Sequence, residues 1–254
     1  MISIALALAA AAQQGDPKAT EQWTPVPAVV TPGPAVSPAP PSDAIVLLGP
    51  KTGLAEWASM DGKAAGWTAN ADGTVTVKKG TGNIQTRRSF SNYQLHLEWR
   101  IPSKITGKDQ ARGNSGLFLA STDGGDGGYE IQILDSYNNT TYVNGQAGSI
   151  YKQSPPLANA MRPPGQWQTY DIVWHAPTFN ADGSVKTPAR VTALHNGVLV
   201  QDDFAVRGET AYIGAPKYRA HGPAPIKLQD HGDPSEPISF RNIWIRELSA
   251  PAGN

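Results

Sequence analysis

The chain has 254 residues, no cysteine and a formal net charge of zero. The balanced charge removes the electrostatic argument for a nucleic-acid or anionic-membrane partner, and the lack of cysteine excludes disulfides and thiolate chemistry. The 26 glycines and 22 prolines favour many short strands joined by tight turns. The 7 tryptophans and 8 tyrosines supply aromatic rings for a core and for stacking on sugars.

An apolar, alanine-rich run opens the chain at residues 2–12 and ends in small residues. This pattern resembles a signal peptide cleaved near residues 10–12, although basic residues are missing at its front. We therefore predict a signal peptide over residues 1–12 and a periplasmic or extracellular location. The run is too short for a membrane-spanning helix and no later segment reaches the required length, so no integral membrane span is predicted.

Proline, alanine, threonine and valine dominate residues 13–42. Such a composition favours extended polyproline geometry and cannot bury a core, so we predict a linker there. The folded domain is expected over residues 43–248, followed by a short tail at residues 249–254. A domain of roughly two hundred residues fits a single β-sandwich.

Strand signals fill the predicted domain in chain order. Ile45–Leu48 is the first apolar run, and Tyr93–Ile101 alternates cleanly between apolar and polar side chains. Similar signals mark residues 74–77, 84–90, 115–121, 129–135, 167–175, 190–195, 198–203 and 238–248. Asn196-Gly197, between two of these segments, is a strong hairpin signal. Because no convincing helical period separates the strands, the pattern predicts an all-β sandwich.

Glu130, Gln132 and Asp135 form the pattern E-x-Q-x-x-D on one predicted strand. Strict alternation directs Glu130 and Gln132 to one face and Asp135 to the other, unless a one-residue bulge returns it. A row of acid and amide groups suits the binding of sugar hydroxyls, and a carboxyl group suits proton transfer at a glycosidic bond. The pattern resembles the E-x-D-x-x-E strand of laminarinase-type glycanases. The alternative is a solvated polar face on an edge strand.

A second polar stretch, residues 226–232, contains Gln229, Asp230 and His231. Imidazole exchanges protons readily near neutral pH, so His231 is a candidate for acid–base chemistry. Alternation turns Asp230 to the opposite face of this predicted strand, where it would orient a loop or hold a cation.

The other four histidines have plainer interpretations. His195 precedes the Asn-Gly turn and is predicted at the surface, while His96 and His175 are predicted on a solvated strand face. His221 lies in a loop close in sequence to His231 and remains a possible site residue. Trp99, Trp167, Trp174 and Trp244 are predicted to pack in the core, since they have aliphatic neighbours. The core is also favoured for Trp57 and Trp67, with stacking on a sugar as the alternative.

Eight short motifs occur in order along the predicted domain. They are LEWR (97–100), GNSGLFL (113–119), YEIQILD (129–135), GSIY (148–151), PGQWQTY (164–170), HNG (195–197), IKLQDHG (226–232) and FRNIWI (240–245). Together these motifs resemble the 3-keto-disaccharide hydrolase family, which is common among exported bacterial proteins.

This resemblance implies a concanavalin A-like jelly roll, that is, a β-sandwich of two antiparallel sheets. It also implies a substrate, an oxidised oligosaccharide or glycoside, whose carbon 3 a separate sugar dehydrogenase has oxidised upstream. The ketone acidifies the hydrogen on carbon 2, so a base can remove it and expel the glycosidic oxygen from carbon 1. Water then adds to the unsaturated product, and the route needs one base, one acid and donors for the enolate.

Carried onto this sequence, the resemblance makes Glu130 and His231 the acid and base candidates, in an order that no motif fixes. Gln132 and Gln229 would bind sugar hydroxyls or the ketone. Arg100 would donate hydrogen bonds to the substrate or to the developing enolate, and so would Asn114.

A divalent metal ion is plausible in this architecture, with Asp135, Asp230 and His231 as its possible ligands. Their spacing matches no dedicated metal motif, and no cofactor beyond such an ion is expected.

Two other functions remain compatible with the sequence. A non-catalytic carbohydrate-binding module on a proline-rich linker would share the fold and the aromatic residues. A laminarinase-type glycoside hydrolase would act on unoxidised glucans and would need both Glu130 and Asp135.

Overall fold

The computed structural model describes residues 15–125 and 127–248. The predicted signal peptide at residues 1–12 and the predicted tail at residues 249–254 lie outside these ranges. Within them, no helix is long and apolar enough to cross a membrane.

Short strands make up nearly all of the regular structure, and the described helical segments are single 3₁₀ turns. The 3₁₀ turns are Pro17–Thr20, Asp109–Ala111 and Val143–Gly145. The first strands are β1 (Ala28–Val29), β2 (Ile45–Leu48), β3 (Trp57–Ser59), β4 (Thr68–Ala69), β5 (Val75–Thr76), β6 (Ile84–Thr86), β7 (Tyr93–Arg100), β8 (Ser115–Phe118) and β9 (Glu130–Ile133). The remaining strands are β10 (Ala158–Asn159), β11 (Trp167–His175), β12 (Thr178–Phe179), β13 (Val185–Thr187), β14 (Arg190–His195), β15 (Val198–Ala205), β16 (Lys227–Leu228) and β17 (Ser239–Glu247).

Two main antiparallel sheets are formed by the described strands. The larger has eight strands in the order β15-β14-β11-β7-β17-β5-β4, with β2 also paired to β17. The smaller has five strands in the order β3-β6-β16-β8-β9. The hairpin β12–β13 and the parallel pair β1–β10 complete the pairing. The predicted all-β sandwich is confirmed.

One apolar core lies between the two sheets, and its side chains come from alternate positions of the strands. The larger sheet contributes, among others, Tyr93, Leu95, Leu97 and Trp99 of β7, as the alternation of that strand predicts. The smaller sheet contributes Leu117 of β8 and Ile131 and Ile133 of β9. The intervening residues of β8 and β9 therefore lie on the outer face of the smaller sheet.

The Asn-Gly hairpin joins β14 to β15 as predicted. Asn196 and Gly197 have φ values of 54° and 79°, the left-handed pair that a tight two-residue hairpin requires. Strand β15 forms one edge of the larger sheet, and β14 lies between it and β11.

The predicted linker lies against the domain instead of standing away from it. We call the described part of it, residues 15–42, the N-terminal segment. Its strand β1 pairs in parallel with β10 of the domain. Most of its side chains are exposed, which agrees with a composition that cannot build a core.

Side chains of the domain bind the backbone of the N-terminal segment. Asn144 accepts from the N–H of Gln22 and donates to the carbonyl of Thr20, both at 2.9 Å. Arg162 donates to the carbonyl of Gly33 at 2.8 Å. An extended proline-rich chain leaves its backbone groups unpaired within itself, so buried polar side chains of the domain can hold it in place.

Two histidines that were predicted at the surface are buried. His195 stacks on Trp99, with ring centroids 5.7 Å apart, and burial lowers its pKa to about 3. His96 stacks on Trp244 at 5.2 Å. Alternation does place His96 outside the core, but the N-terminal segment covers that face through a hydrogen bond from Ser37 to Glu98.

Candidate active site

A cavity of about 540 Å³ opens on the outer face of the five-stranded sheet. This volume is typical of a site for a small molecule. The cavity is lined by Asn83, Asn114, Phe118, Glu130, Gln132, Tyr151, Thr210, Tyr212, Gln229, Asp230 and His231. Six residues that the sequence analysis proposed for the site are thus brought to one place.

The register of the sheet sets the floor of this cavity. Glu130 of β9 pairs with Phe118 of β8, and Gln132 pairs with Gly116. Directly paired residues point to the same face, so the acid and the amide stand side by side on the outer face.

Polar side chains on the outer face of the sheet continue past the end of β16. The N–H of Gln229 donates to the carbonyl of Gly116 at 3.0 Å. Because Gly116 has no side chain, the floor between Gln132 and Gln229 leaves room for the carboxylate of Glu130.

Glu130 is almost enclosed, with 6% of its surface exposed. Its N–H donates to the hydroxyl of Thr210 at 3.0 Å, and its carbonyl accepts from the N–H of Tyr151 at 3.2 Å. A Cβ added to Gly116 would lie 2.4 Å from Oε1 of Glu130. The carboxylate therefore occupies the space directly above that glycine.

An amide network holds two of the predicted ligand-binding side chains. Nε2 of Gln132 donates to Oε1 of Gln110 at 3.1 Å, and Oε1 of Gln132 accepts from the N–H of Ile133 at the same distance. Nδ2 of Asn114 donates to the carbonyl of Gln110 at 2.7 Å. Both amide groups are fixed before a ligand binds, which lowers the entropic cost of binding.

Asp230 faces the cavity, contrary to the prediction from alternation. Strand β16 ends at Leu228, so the alternation does not extend to this residue. Oδ2 of Asp230 accepts from the N–H of Gly82 at 3.1 Å. Oδ1 of Asp230 and Oε1 of Gln229 are buried and have no hydrogen-bond partner among the described residues. Two such acceptors at a cavity wall suit the hydroxyls of a sugar.

His231 lies at the mouth of the cavity, with 37% of its side chain exposed. Its Nδ1 is 3.5 Å from Oδ2 of Asp233. Burial alone would raise the pKa of Asp233, but hydrogen bonds from His231 and Ser235 lower it, so this carboxylate stays ionised beside the imidazole.

Tyr151 forms part of the cavity wall. Its hydroxyl lies 2.6 Å from the hydroxyl of Tyr142. Burial raises the pKa of Tyr151, so the phenol remains protonated and can act only as a neutral hydrogen-bonding group near pH 7.

Asp135 lies outside the cavity. The pairing of β8 with β9 is regular from Glu130 to Ile133, so the strand lacks the bulge that would have turned Asp135 toward Glu130. Asp135 is instead fully buried, with its Oδ2 2.8 Å from Nε of Arg112.

The three predicted metal ligands, Asp135, Asp230 and His231, are therefore not brought together. Across residues 15–125 and 127–248, no group of three or more His, Asp or Glu side chains is arranged to hold a metal ion.

Arg100 and His221 also lie outside the cavity. Cζ of Arg100 is 4.5 Å from the ring centroid of Trp167, and Arg100 lines a separate pocket at the end of β7. His221 is 2.9 Å from the hydroxyl of Tyr129 through its Nε2. Arg100 was proposed as a site residue only from the family resemblance. His221 was proposed only because it lies close to His231 in the sequence.

The comparison with protein families identifies the family to which the chain belongs. The family described as the 3-keto-alpha-glucoside-1,2-lyase-like domain matches residues 49–246. The chain belongs to this family. The resemblance drawn from the eight motifs is confirmed, and membership of the 3-keto-alpha-glucoside-1,2-lyase-like family places the protein among carbohydrate-active enzymes.

Solved structures support the same assignment. A candidate glycosyl hydrolase from Parabacteroides distasonis is 55% identical over 90% of this chain and 94% of that chain, with a TM-score of 0.79. A second one from that organism is 19% identical over 77% of this chain and 90% of that chain, with a TM-score of 0.52. A third is 23% identical over 72% of this chain and 90% of that chain, with a TM-score of 0.50. The latter two show the fold alone. No curated protein matches the chain.

Five residues of the cavity in this member of the lyase-like family escaped the sequence analysis: Asn83, Phe118, Tyr151, Thr210 and Tyr212. Two of them carried a usable signal, because Phe118 alternates with Gly116 in one motif and Tyr151 ends another. The other three lie in loops, where no period indicates the direction of a side chain.

Lys227 is a further residue that the sequence analysis passed over. It is fully buried, and its Nζ lies 3.8 Å from the ring centroid of Phe118. The ammonium donates to the carbonyls of Gly125 and Gly127 at 2.5 and 3.0 Å. It therefore places an ammonium group beside Phe118, which lines the cavity.

Proposed function

We propose that this protein is an exported enzyme that cleaves 3-keto-glycosides by elimination and hydration, with net hydrolysis of the glycosidic bond. The observation that carries the proposal is that Glu130 and His231 line one cavity together with the buried acceptors of Gln229 and Asp230. The family description names a 1,2-lyase of a 3-keto-alpha-glucoside, which matches the elimination step.

The reaction balances without a covalent intermediate. A base takes the proton from carbon 2, and the electron pair moves toward the ketone at carbon 3 as an enolate. The enolate then forms the double bond between carbons 1 and 2, while the bond from carbon 1 to the glycosidic oxygen breaks. An acid gives a proton to the departing oxygen. Water finally adds its hydroxyl to carbon 1 and a proton to carbon 2.

Glu130 is the base in this proposal and His231 is the acid. The enclosed carboxylate of Glu130 is shielded from bulk water, so a proton that it accepts is retained during the elimination. His231 stands at the mouth, where the departing part of the substrate and the incoming water would both pass.

The remaining polar groups have supporting roles. The fixed amides of Gln132 and Asn114 would hold the sugar and donate hydrogen bonds to its ketone and to the developing enolate. Gln229 and Asp230 would accept hydrogen bonds from sugar hydroxyls.

The position of Asp135 supports this route over ordinary glycan hydrolysis. A retaining glycanase needs two carboxylates about 5 Å apart across the bond. In this protein the acid that would partner Glu130 in the laminarinase-type pattern is held by Arg112 outside the cavity.

The test is to offer the full chain a 3-keto-α-glucoside and the same glucoside without oxidation. We expect release of the aglycone from the oxidised sugar only. Glu130→Gln should lower kcat by about a hundredfold or more, because loss of a positioned acid–base group typically costs 10²–10⁴-fold. His231→Ala should also lower kcat, and less so when the aglycone is a good leaving group that needs no proton.

Glu247→Gln and His175→Ala are matched controls, since both residues are exposed on strands of the larger sheet. Each assay is repeated with a chelator to test for a divalent ion. Cleavage of the unoxidised glucoside would instead indicate a glycanase. Binding of sugars without turnover would indicate a carbohydrate-binding module.

Export rests on the pattern of residues 1–12 and stays a prediction. The substrate chemistry further requires a sugar 3-dehydrogenase that acts upstream in the same pathway. The dehydrogenase is proposed because the elimination needs a ketone at carbon 3 of the sugar.

A further inference from the structure

The N-terminal segment touches the wall of the cavity through Lys152. Its Nζ donates to the carbonyl of Pro17 at 2.5 Å and to the carbonyl of Tyr212 at 2.9 Å. The same atom lies 4.5 Å from the ring centroid of Tyr212, which lines the cavity. One ammonium group therefore joins the segment to the cavity wall.

Lys152 is held in an unusual way for a lysine. Only 8% of its surface is exposed, and its φ of 58° lies in the left-handed region that residues other than glycine rarely adopt. Burial lowers the pKa of Lys152, while Glu21 and Asp16 of the N-terminal segment oppose this change. Strained, buried residues of this kind persist only where their surroundings fix them, and they are common at functional sites.

A second connection runs through aromatic rings. Trp23 of the N-terminal segment lies edge-on to Tyr142, with centroids 6.3 Å apart. The hydroxyl of Tyr142 is 2.6 Å from that of Tyr151 in the cavity wall. The segment thus reaches the cavity at two points, Tyr212 and Tyr151.

The outermost rings of this arrangement remain open to solvent. Trp23 is 50% exposed and Tyr212 is 60% exposed, although large aromatic side chains usually bury most of their surface. Tyr212 lines the cavity, and Trp23 is connected to it through Tyr142 and Tyr151. Both rings offer flat apolar faces on which a pyranose ring can stack.

We propose that Trp23 and Tyr212, held by Lys152, form a rim that binds the part of the substrate projecting from the cavity. The ligand is the aglycone side of a 3-keto-glycoside, with one or more further sugar rings beyond the bond that is cleaved. The proposal rests on the proposed function for the identity of the sugar. According to this proposal, residues 16–23 influence how long a substrate the protein binds well.

The experiment compares the full chain with its Trp23→Ala and Lys152→Met variants on three 3-keto-α-glucosides. Their aglycones are a methyl group, one glucose and two glucoses. For Trp23→Ala we expect KM to rise about three- to tenfold for the longest substrate, the scale of one aromatic contact, with kcat unchanged. The methyl glycoside should show no change. Lys152→Met should give the same dependence on length, because Tyr212 loses its support.

Leu199→Ala and Lys186→Met are matched controls, because Leu199 and Lys186 are exposed on β15 and β13. Thermal unfolding of every variant checks that the fold is kept. A rise in KM that is equal for all three substrates would overturn the rim, since a purely structural defect does not depend on length.

The affinity for unoxidised oligosaccharides of the same three lengths is measured in parallel by calorimetry. If the protein turns over no 3-keto substrate, the proposed function fails. The rim is then judged by binding alone. A loss of affinity in Trp23→Ala that is confined to the longer sugars supports it, and equal affinities in the two proteins overturn it.

Discussion

The room around the carboxylate of Glu130 depends on a single glycine. Gly116 has an ordinary extended backbone, so its lack of a side chain matters for space and not for conformation. A Cβ at this position would approach Oε1 of Glu130 to 2.4 Å and Cε2 of Phe118 to 3.0 Å. The nearest obstacle is the movable end of a side chain, so an alanine would displace the carboxylate before it disturbed the sheet.

Gly116→Ala should therefore separate activity from stability. We expect kcat on the 3-keto substrate to fall about tenfold to a hundredfold, because a displacement near 1 Å at the reacting group has effects of this size. The midpoint of thermal unfolding should change little. The control is Gly222→Ala, where an added Cβ meets no atom within 4 Å. Unchanged kcat in Gly116→Ala would show that Glu130 does not act from the position described.

At the scale of a strand, the outer face of β7 carries a buried ionic cluster. Nδ1 of His96 lies 2.7 Å from Asp171, and Nε2 lies 3.4 Å from Glu98. Burial alone would lower the pKa of His96, but these two carboxylates outweigh it and raise the pKa to about 9. Burial alone would raise the pKa of Glu98, but hydrogen bonds from its neighbours lower it to about 2.

These two shifts give the free energy of unfolding a defined dependence on pH. The folded pKa of His96 exceeds its ordinary value of 6.5, so its contribution is complete below pH 6.5 and disappears as the pH rises to 9. The folded pKa of Glu98 is below its ordinary value of 4.5, so its contribution is complete above pH 4.5 and disappears as the pH falls to 2.

The prediction is tested with His96→Gln and urea unfolding at pH 6 and pH 9.5. The free energy of unfolding of the protein should exceed that of the variant by a margin about 3 kcal/mol larger at pH 6 than at pH 9.5, on the scale of the rise from 6.5 to about 9 in the pKa of His96. His175→Gln, at an exposed position of β11, should leave the pH dependence as it is. An equal deficit at both pH values would mean that His96 is neutral in the fold.

The sequence predicts a strand or a turn well where its own residues carry a clear pattern. Strands β11 and β14 occupy the ranges that their alternation predicts, and the turn at Asn196 has the expected conformation. Alternation also placed Glu130 and Gln132 on one face correctly. It failed for Asp230, because a two-residue strand imposes no direction on the residues that follow it. His96 was misjudged because no local pattern shows that a distant segment covers its face.

For the whole molecule, the N-terminal segment is the main difference between expectation and structure. Composition correctly indicates that residues 15–42 cannot form a core, yet it carries no information about side chains elsewhere that hold their backbone. Asn144 is fully buried, and its side-chain amide accepts a hydrogen bond from Gln22 and donates one to Thr20. Polar contacts to its backbone therefore contribute to holding the N-terminal segment on the domain.

Asn144→Ala should release the first part of the segment without unfolding the sandwich. Loss of the acceptor for the N–H of Gln22 should raise the hydrogen-exchange rate of that amide about tenfold, the scale of one buried hydrogen bond. Amides of β7 and β11 should keep their protection. Asn180→Ala, in an exposed hairpin, serves as the control. Unaltered exchange at Gln22 would show that other contacts suffice to hold the segment.

The contacts of the N-terminal segment also impose an order on folding. Pro17, Gln22 and Gly33 bind residues that lie 135, 122 and 129 positions later in the chain. The segment is synthesised before the domain, but the surfaces that it contacts do not exist until most of the sandwich has formed. Contacts between such distant parts of a chain are slow to close. The floor of the cavity thus forms together with the sheet, and the proposed rim forms afterwards from residues that precede the sheet in the chain.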